Sequence, residues 1–147
     1  MERGFRSEGR AVPFVSVLVE TSVWSLAMRR DAPAESPAVE LLSDALSSGR
    51  EVYTTGIILQ ELLQGFSGPK TEQAIIQRFA AIPLLVPDRE DHVAAAGLRN
   101  QCRRQGVQIG TIDALIAQLS IRFELDLLTT DKDFEHAAKI IPIKLAL

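Results

Sequence analysis

The sequence predicts an α/β fold, a three-layer α/β/α sandwich built on a short, mostly parallel sheet. Three observations predict it. Short apolar or β-branched runs alternate with longer helical stretches, which is the pattern of βαβ units. The first run, residues 14–19 (FVSVLV), is apolar on both faces, as a strand covered on both sides must be. The length, 147 residues, suits one domain.

The elements follow in order. Residues 1–13 are polar and carry Arg3, Arg6 and Arg10, so they are expected to form a flexible tail before a single domain over 14–147. After the strand at 14–19, Thr21 or Ser22 can cap a helix reaching Arg30, with Arg29 and Arg30 in the last turn where positive charge is favoured. Pro33 and Pro37 mark a break. A helix over 38–48 places Val39, Leu42 and Leu46 on one face, and Gly49 stops it. Residues 51–54 read as a strand, Thr55 caps a helix over 56–66, and Gly68-Pro69 ends that region. A helix over 70–80 turns Ile75, Ile76 and Phe79 inward. Residues 84–86 form a strand closed by Pro87. A long helix starts at Asp88 or Arg89 and runs to Gln105, with Gly106 at its end. Gly110-Thr111 opens a helix over 112–123. A strand over 125–129, a short helix after Asp131 and a last strand over 140–144 complete the chain.

Composition bounds the function. Hydrophobic residues make up 46% and charged residues 24%, as in ordinary globular proteins. Cys102 is the only cysteine, so no intrachain disulfide forms, which fits a reducing, cytoplasmic setting. No apolar run approaches the roughly 20 residues of a membrane span. The apolar stretch 11–19 runs directly into Glu20, unlike a signal peptide with its small-residue cleavage site. Net charge is −3. Were four carboxylates neutralised by a cation, the basic residues would slightly outnumber the remaining acidic ones, so charge neither supports nor excludes nucleic acid. There is no Gly-rich phosphate loop. His92 and His136 lack metal-ligand spacing and read as surface residues. Cys102, beside Arg103 and Arg104, could have a lowered pKa, but it reads more simply as a plain helix residue.

The carboxylates carry the chemistry. Open α/β sheets bind ligands beyond the carboxyl ends of their strands, where strand order reverses. Glu20 follows the first strand and Asp131 follows the strand at 125–129. If those strands are neighbours, the two carboxylates meet at one crevice. Asp113 lies in the first turn of its helix, where the helix dipole alone would favour it. Its same-face neighbours Ala117 and Ser120 are small, leaving room for an ion. Glu61 borders an apolar arc of Ile57, Ile58, Leu62 and Phe66, and a carboxylate there needs a partner, either a cation or Arg29 or Arg30. Asp131 could equally cap the next helix, with Thr130 and Asp133 at capping-box spacing. Four carboxylates in one crevice repel one another unless a cation sits among them, and hard oxygen ligands select Mg²⁺ or Mn²⁺.

Four blocks extend the argument: Val17-Leu-Val-Glu-Thr-Ser-Val-Trp24, Gln60-Glu-Leu-Leu-Gln-Gly65, Thr111-Ile-Asp-Ala-Leu-Ile-Ala117 and Leu128-Thr-Thr-Asp-Lys-Asp-Phe134. In this order and spacing they resemble the PIN-domain ribonucleases, and within them the VapC-type toxins of toxin–antitoxin pairs. The resemblance runs from Val15 to the C-terminus. It implies a metal-dependent endoribonuclease using Mg²⁺ or Mn²⁺. The family's four acidic positions match Glu20, Glu61, Asp113 and Asp131, with Asp133 as an accessory and Thr21 and Ser22 as the hydroxyl residues after the first acid. It also implies a homodimer and a cognate antitoxin docking on the first two helices, with Trp24 and Leu26 as candidate anchors, although core packing is the simpler role for either. Lys132 and Arg29 or Arg30 could neutralise flanking phosphates of the RNA.

One position departs from the family, which usually has Asp where this chain has Glu20. The side chain is one methylene longer, and Mg²⁺ demands near-ideal octahedral geometry, so attenuated activity is expected. Two other readings compete. A catalytically silent PIN-like binding module would keep the partner and lose the chemistry. A phosphotransfer or receiver-like domain would use the carboxylate after the first strand as phosphate acceptor, but Glu is a poor fit there.

Overall fold

The computed structural model describes residues 16–29, 36–66 and 68–147. The expected tail at 1–13, the start of the first strand, Arg30 and Pro33 lie outside the described residues. The element order is β1 (Val17–Val19), α1 (Thr21–Met28), α2 (Pro37–Ser47), β2 (Val52–Thr55), α3 (Gly56–Gly65), α4 (Pro69–Phe79), β3 (Leu84–Leu85), α5 (Arg89–Arg104), α6 (Thr111–Arg122), β4 (Asp126–Leu128), α7 (Lys132–Ala137) and β5 (Lys144–Leu145).

The five strands form one sheet in the order β3-β2-β1-β4-β5, every neighbouring pair parallel. β1 is central, and Val17, Leu18 and Val19 are all buried, which explains its unbroken apolar run. Connections from β1 through β3 step one way along the sheet, and the connection to β4 returns past β1. Right-handed crossovers therefore place α1 to α4 on one face and α5 and α6 on the other, giving the three layers. The strand order reverses between β1 and β4, which pair with Val17 opposite Asp126 and Val19 opposite Leu128. This order differs from the 2-1-3-4-5 arrangement of receiver-like folds and counts against the phosphotransfer reading.

Local chemistry sets the helix starts. The Thr55 hydroxyl accepts from the Ile58 amide and caps α3, and Ser36 caps α2 ahead of Pro37. Pro69 likewise opens α4 rather than ending the preceding region. Asp88 and Asp91 form a reciprocal capping box at the start of α5. Gly106, at φ 83°, supplies the left-handed turn after α5.

Two expectations need correction. The last strand is only Lys144–Leu145 rather than 140–144. The Ile140 and Ile141 amides still bond to the Ala137 carbonyl, and Pro142 has no amide to offer a ladder, so 140–143 is a turn that buries Ile141 and Ile143. Trp24 is buried, 1% exposed, with its ring 4.7 Å from that of Phe79. It belongs to the core between α1 and α4, the simpler of its two roles, and is not a projecting anchor, whereas Leu26 is half-buried.

Candidate active site at the carboxyl ends of β1 and β4

Glu20 leaves β1 at the point where the strand order reverses, and its amide donates to the Leu128 carbonyl of β4 at 2.9 Å. That bond brings the loop after β4, with Asp131, and the first turn of α7, with Asp133, alongside the start of α1. Asp113 arrives from the opposite layer, in the first turn of α6. Glu61 reaches the site from the middle of α3. Four separate elements thus contribute the four acidic residues that the sequence singles out.

Oxygens of Asp113, Asp131 and Asp133 all lie within 4.8 Å of one another, a spacing that fits a single small cation. Asp113 is half-buried, and its carboxyl is pushed up to about 6. Burial is the main cause, followed by the negative charges of Glu20, Asp131, Asp133 and Glu61. The electrostatics alone thus place all five acids in one field. Glu20 and Glu61 border the trio; among the described residues, neither joins it at that spacing.

A hydroxyl network organises the border. Glu20 Oε1 accepts from Ser22 Oγ at 2.5 Å and from Thr129 Oγ1 at 2.7 Å. Ser22 Oγ accepts the Thr130 amide at 2.9 Å, and Thr129 Oγ1 accepts the Asp131 amide at 3.0 Å. Thr21 Oγ1 donates to Glu61 Oε1 at 2.6 Å, which supplies the partner that Glu61 needed. Asp131 also caps α7, accepting the Asp133 amide at 2.9 Å through Oδ1. Thr130 does not form the capping box its spacing suggested, because Asp131 itself is the N-cap.

Some assignments from sequence change. Ala117 and Ser120 are fully buried, with Ser120 Oγ bonded to the Ala117 carbonyl, so they pack the core rather than line the acidic cluster. His92 and His136 are exposed. Cys102 is buried, and burial pushes its thiol up, opposite to the lowering its arginine neighbours suggested. Thr129 and the buried Asp91 escaped the sequence reading. The Asp88-x-x-Asp91 spacing signals a capping box, but nothing in the sequence marks Thr129 until β1 and β4 are known to be neighbours.

No helix among the described residues is long and apolar enough to cross a membrane. The family model of the PIN domain matches residues 17–140. The VapC ribonuclease Mb1587 of Mycobacterium bovis is 30% identical over 132 residues, covering 88% of this chain and 97% of that protein. The fold is also that of VapBC2 from Rickettsia felis, bound to a DNA fragment from their promoter, at TM-score 0.70 and 18% identity over 89% of this chain and 97% of that one. Mycobacterium tuberculosis VapC20, described as a sarcin–ricin loop cleaving toxin, superposes at TM-score 0.63 and 18% identity, covering 88% and 99% of the two chains. The sheet order, the acids at its switch point and these matches converge: the chain belongs to the PIN-domain family, of the VapC type.

Proposed function

We propose that the chain is an Mg²⁺- or Mn²⁺-dependent endoribonuclease acting in the cytoplasm, the toxin of a toxin–antitoxin pair. The observation that carries this reading is the convergence of Asp113, Asp131 and Asp133 within 4.8 Å at the switch point, bordered by Glu20 and Glu61. The donor set is all carboxylate, which suits a hard cation. When bound, such a cation activates water and neutralises charge on the scissile phosphate.

The chain's residues do the positioning. Asp113, Asp131 and Asp133 present oxygens toward one point, and Thr21 fixes the orientation of Glu61 at its edge. Lys132 is exposed between Asp131 and Asp133, which supports a role in neutralising a phosphate flanking the cut. Asp113 would release its proton near pH 6, so cation binding strengthens as pH rises through that value. Glu20 in place of Asp attenuates the reaction, because its longer arm carries the carboxylate to the hydroxyls of Ser22 and Thr129.

The antitoxin is the expected protein partner. A groove between α1, α2 and α4, lined by Trp24, Met28, Leu42, Ala74, Ile75 and Arg78 among others, runs along the helices that the sequence marked for docking. The relative VapC ribonuclease and the VapBC fold neighbour support this pairing, and a homodimer is proposed on the same family grounds.

Single-stranded RNA incubated with Mn²⁺ tests the reading. Cleavage that a chelator abolishes, and that is faster in Glu20→Asp, is expected. Failure of both proteins to cut would overturn it in favour of the silent module.

A further inference from the structure

We infer that Glu20 is a positioning residue in this chain: it fastens the loop between β4 and α7 through Ser22 and Thr129, while Asp113, Asp131 and Asp133 hold the cation without it. The inference rests on the proposed cation-dependent site and assigns its ligands.

Two features of the geometry carry it. First, both hydroxyl bonds fall on the same oxygen, Glu20 Oε1. Each of those hydroxyls in turn accepts a consecutive backbone amide of the loop, Thr130 through Ser22 and Asp131 through Thr129. A carboxylate accepting two hydroxyl bonds polarises them, and each hydroxyl becomes a better acceptor for its amide. The 92%-buried Glu20 is therefore the fixed end of two short relays whose other ends set the backbone that presents Asp131 and Asp133. Second, Glu20 lies outside the set of oxygens within 4.8 Å of one another, although its charge still reaches Asp113. The extra methylene accounts for the pairing of these facts, since it carries the carboxyl group into the hydroxyls.

Mn²⁺ binding to the purified full chain, followed by calorimetry and by the electron paramagnetic resonance of the free ion, tests the assignment without RNA. Glu20→Gln keeps an amide oxygen that can accept both hydroxyl bonds but gives up the charge. Its Mn²⁺ affinity should stay within about tenfold of the parent, whereas Thr129→Val, which cuts one relay, should weaken binding by roughly 10–100-fold. Thr129→Ser should restore it, which a general packing role for the threonine would not require. Asp113→Asn should bind more weakly than any of these. Thermal melts of the same proteins confirm that each is folded. If Glu20→Gln loses Mn²⁺ as completely as Asp113→Asn while the parent binds it, Glu20 is itself a ligand and the inference falls alone. If the parent binds no Mn²⁺, the proposed function falls with it.

Discussion

Thr21 donates its hydroxyl to Oε1 of Glu61 at 2.6 Å, tying the first turn of α1 to the middle of α3. The two residues are 40 positions apart, and they meet only because α1 and α3 lie side by side on one face of the sheet. A carboxylate held in this way reaches the site in one orientation. Replacing Thr21 by Val should lower the cleavage rate by roughly 10–100-fold, the usual cost of losing a group that orients a metal-site carboxylate. Thr21→Ser should retain most of the activity. Rates measured at saturating RNA, with circular dichroism to confirm folding, check this; equal rates for Val and Thr would contradict it.

Asp113 sets a pH dependence. Its carboxyl rises from 3.8 to about 6, through burial first and then the surrounding acids. A carboxyl raised on folding binds its proton more tightly in the native state, so the associated stability is fully present below pH 3.8 and is lost as pH rises through about 6. In chelator, the contribution of Asp113 should therefore lower Tm across that window, and Mn²⁺ should reverse the fall at higher pH. Asp113→Asn should remove this component and melt higher above pH 6, by roughly 2–4 °C for each kcal/mol of relieved repulsion. Scanning calorimetry in chelator is the check, and a variant whose pH profile parallels the parent's would count against the account.

Asp91 shows the opposite balance. It is 1% exposed, and burial alone would raise its carboxyl. The Asp88 amide, the Gln118 side chain and Arg122, whose Nη1 lies 2.6 Å from Oδ2, overcome that and hold it below the usual value. This stability is present above the ordinary carboxylate range and lost on acidification. Asp91→Ala removes half of the capping box and a partner of Arg122. It should cost roughly 1–3 kcal/mol by urea denaturation, with little change in the rate of the folded fraction. An unchanged denaturation midpoint would contradict the clamp between α5 and α6.

The groove prediction is separable from catalysis. Ala74 is exposed on α4 at the wall of the groove, so Ala74→Arg fills the groove without disturbing the core. Co-expression with the product of the neighbouring gene should yield a complex for the parent and free toxin for the variant. Co-purification of both would place the partner elsewhere.

Much of this was readable from sequence because the signals are local. Thr55 and Pro37 mark helix starts whatever surrounds them, and the apolar run of β1 identifies a central strand. Glu20, Glu61, Asp113 and Asp131 stood out by their places relative to those elements. What the sequence could not supply was distance. Asp133 looked like an accessory, and only the turn made by the Asp131 cap brings it beside Asp113. Thr129 looked like a strand residue, and its link to Glu20 exists only because β4 pairs with β1 across 109 positions. In the sequence Trp24 fits either the core or a docking surface, because the helical pattern of α1 does not reveal that α4 lies across it.

The most direct test of the central claim is cleavage of single-stranded RNA by the purified chain and its Asp113→Asn variant, each with Mn²⁺ and with chelator. The account predicts cleavage by the parent with Mn²⁺ alone, and for the variant a loss exceeding the roughly 10–100-fold cost of an outer-shell change. Cleavage that persists in chelator, or that survives Asp113→Asn undiminished, would contradict a cation held among these carboxylates.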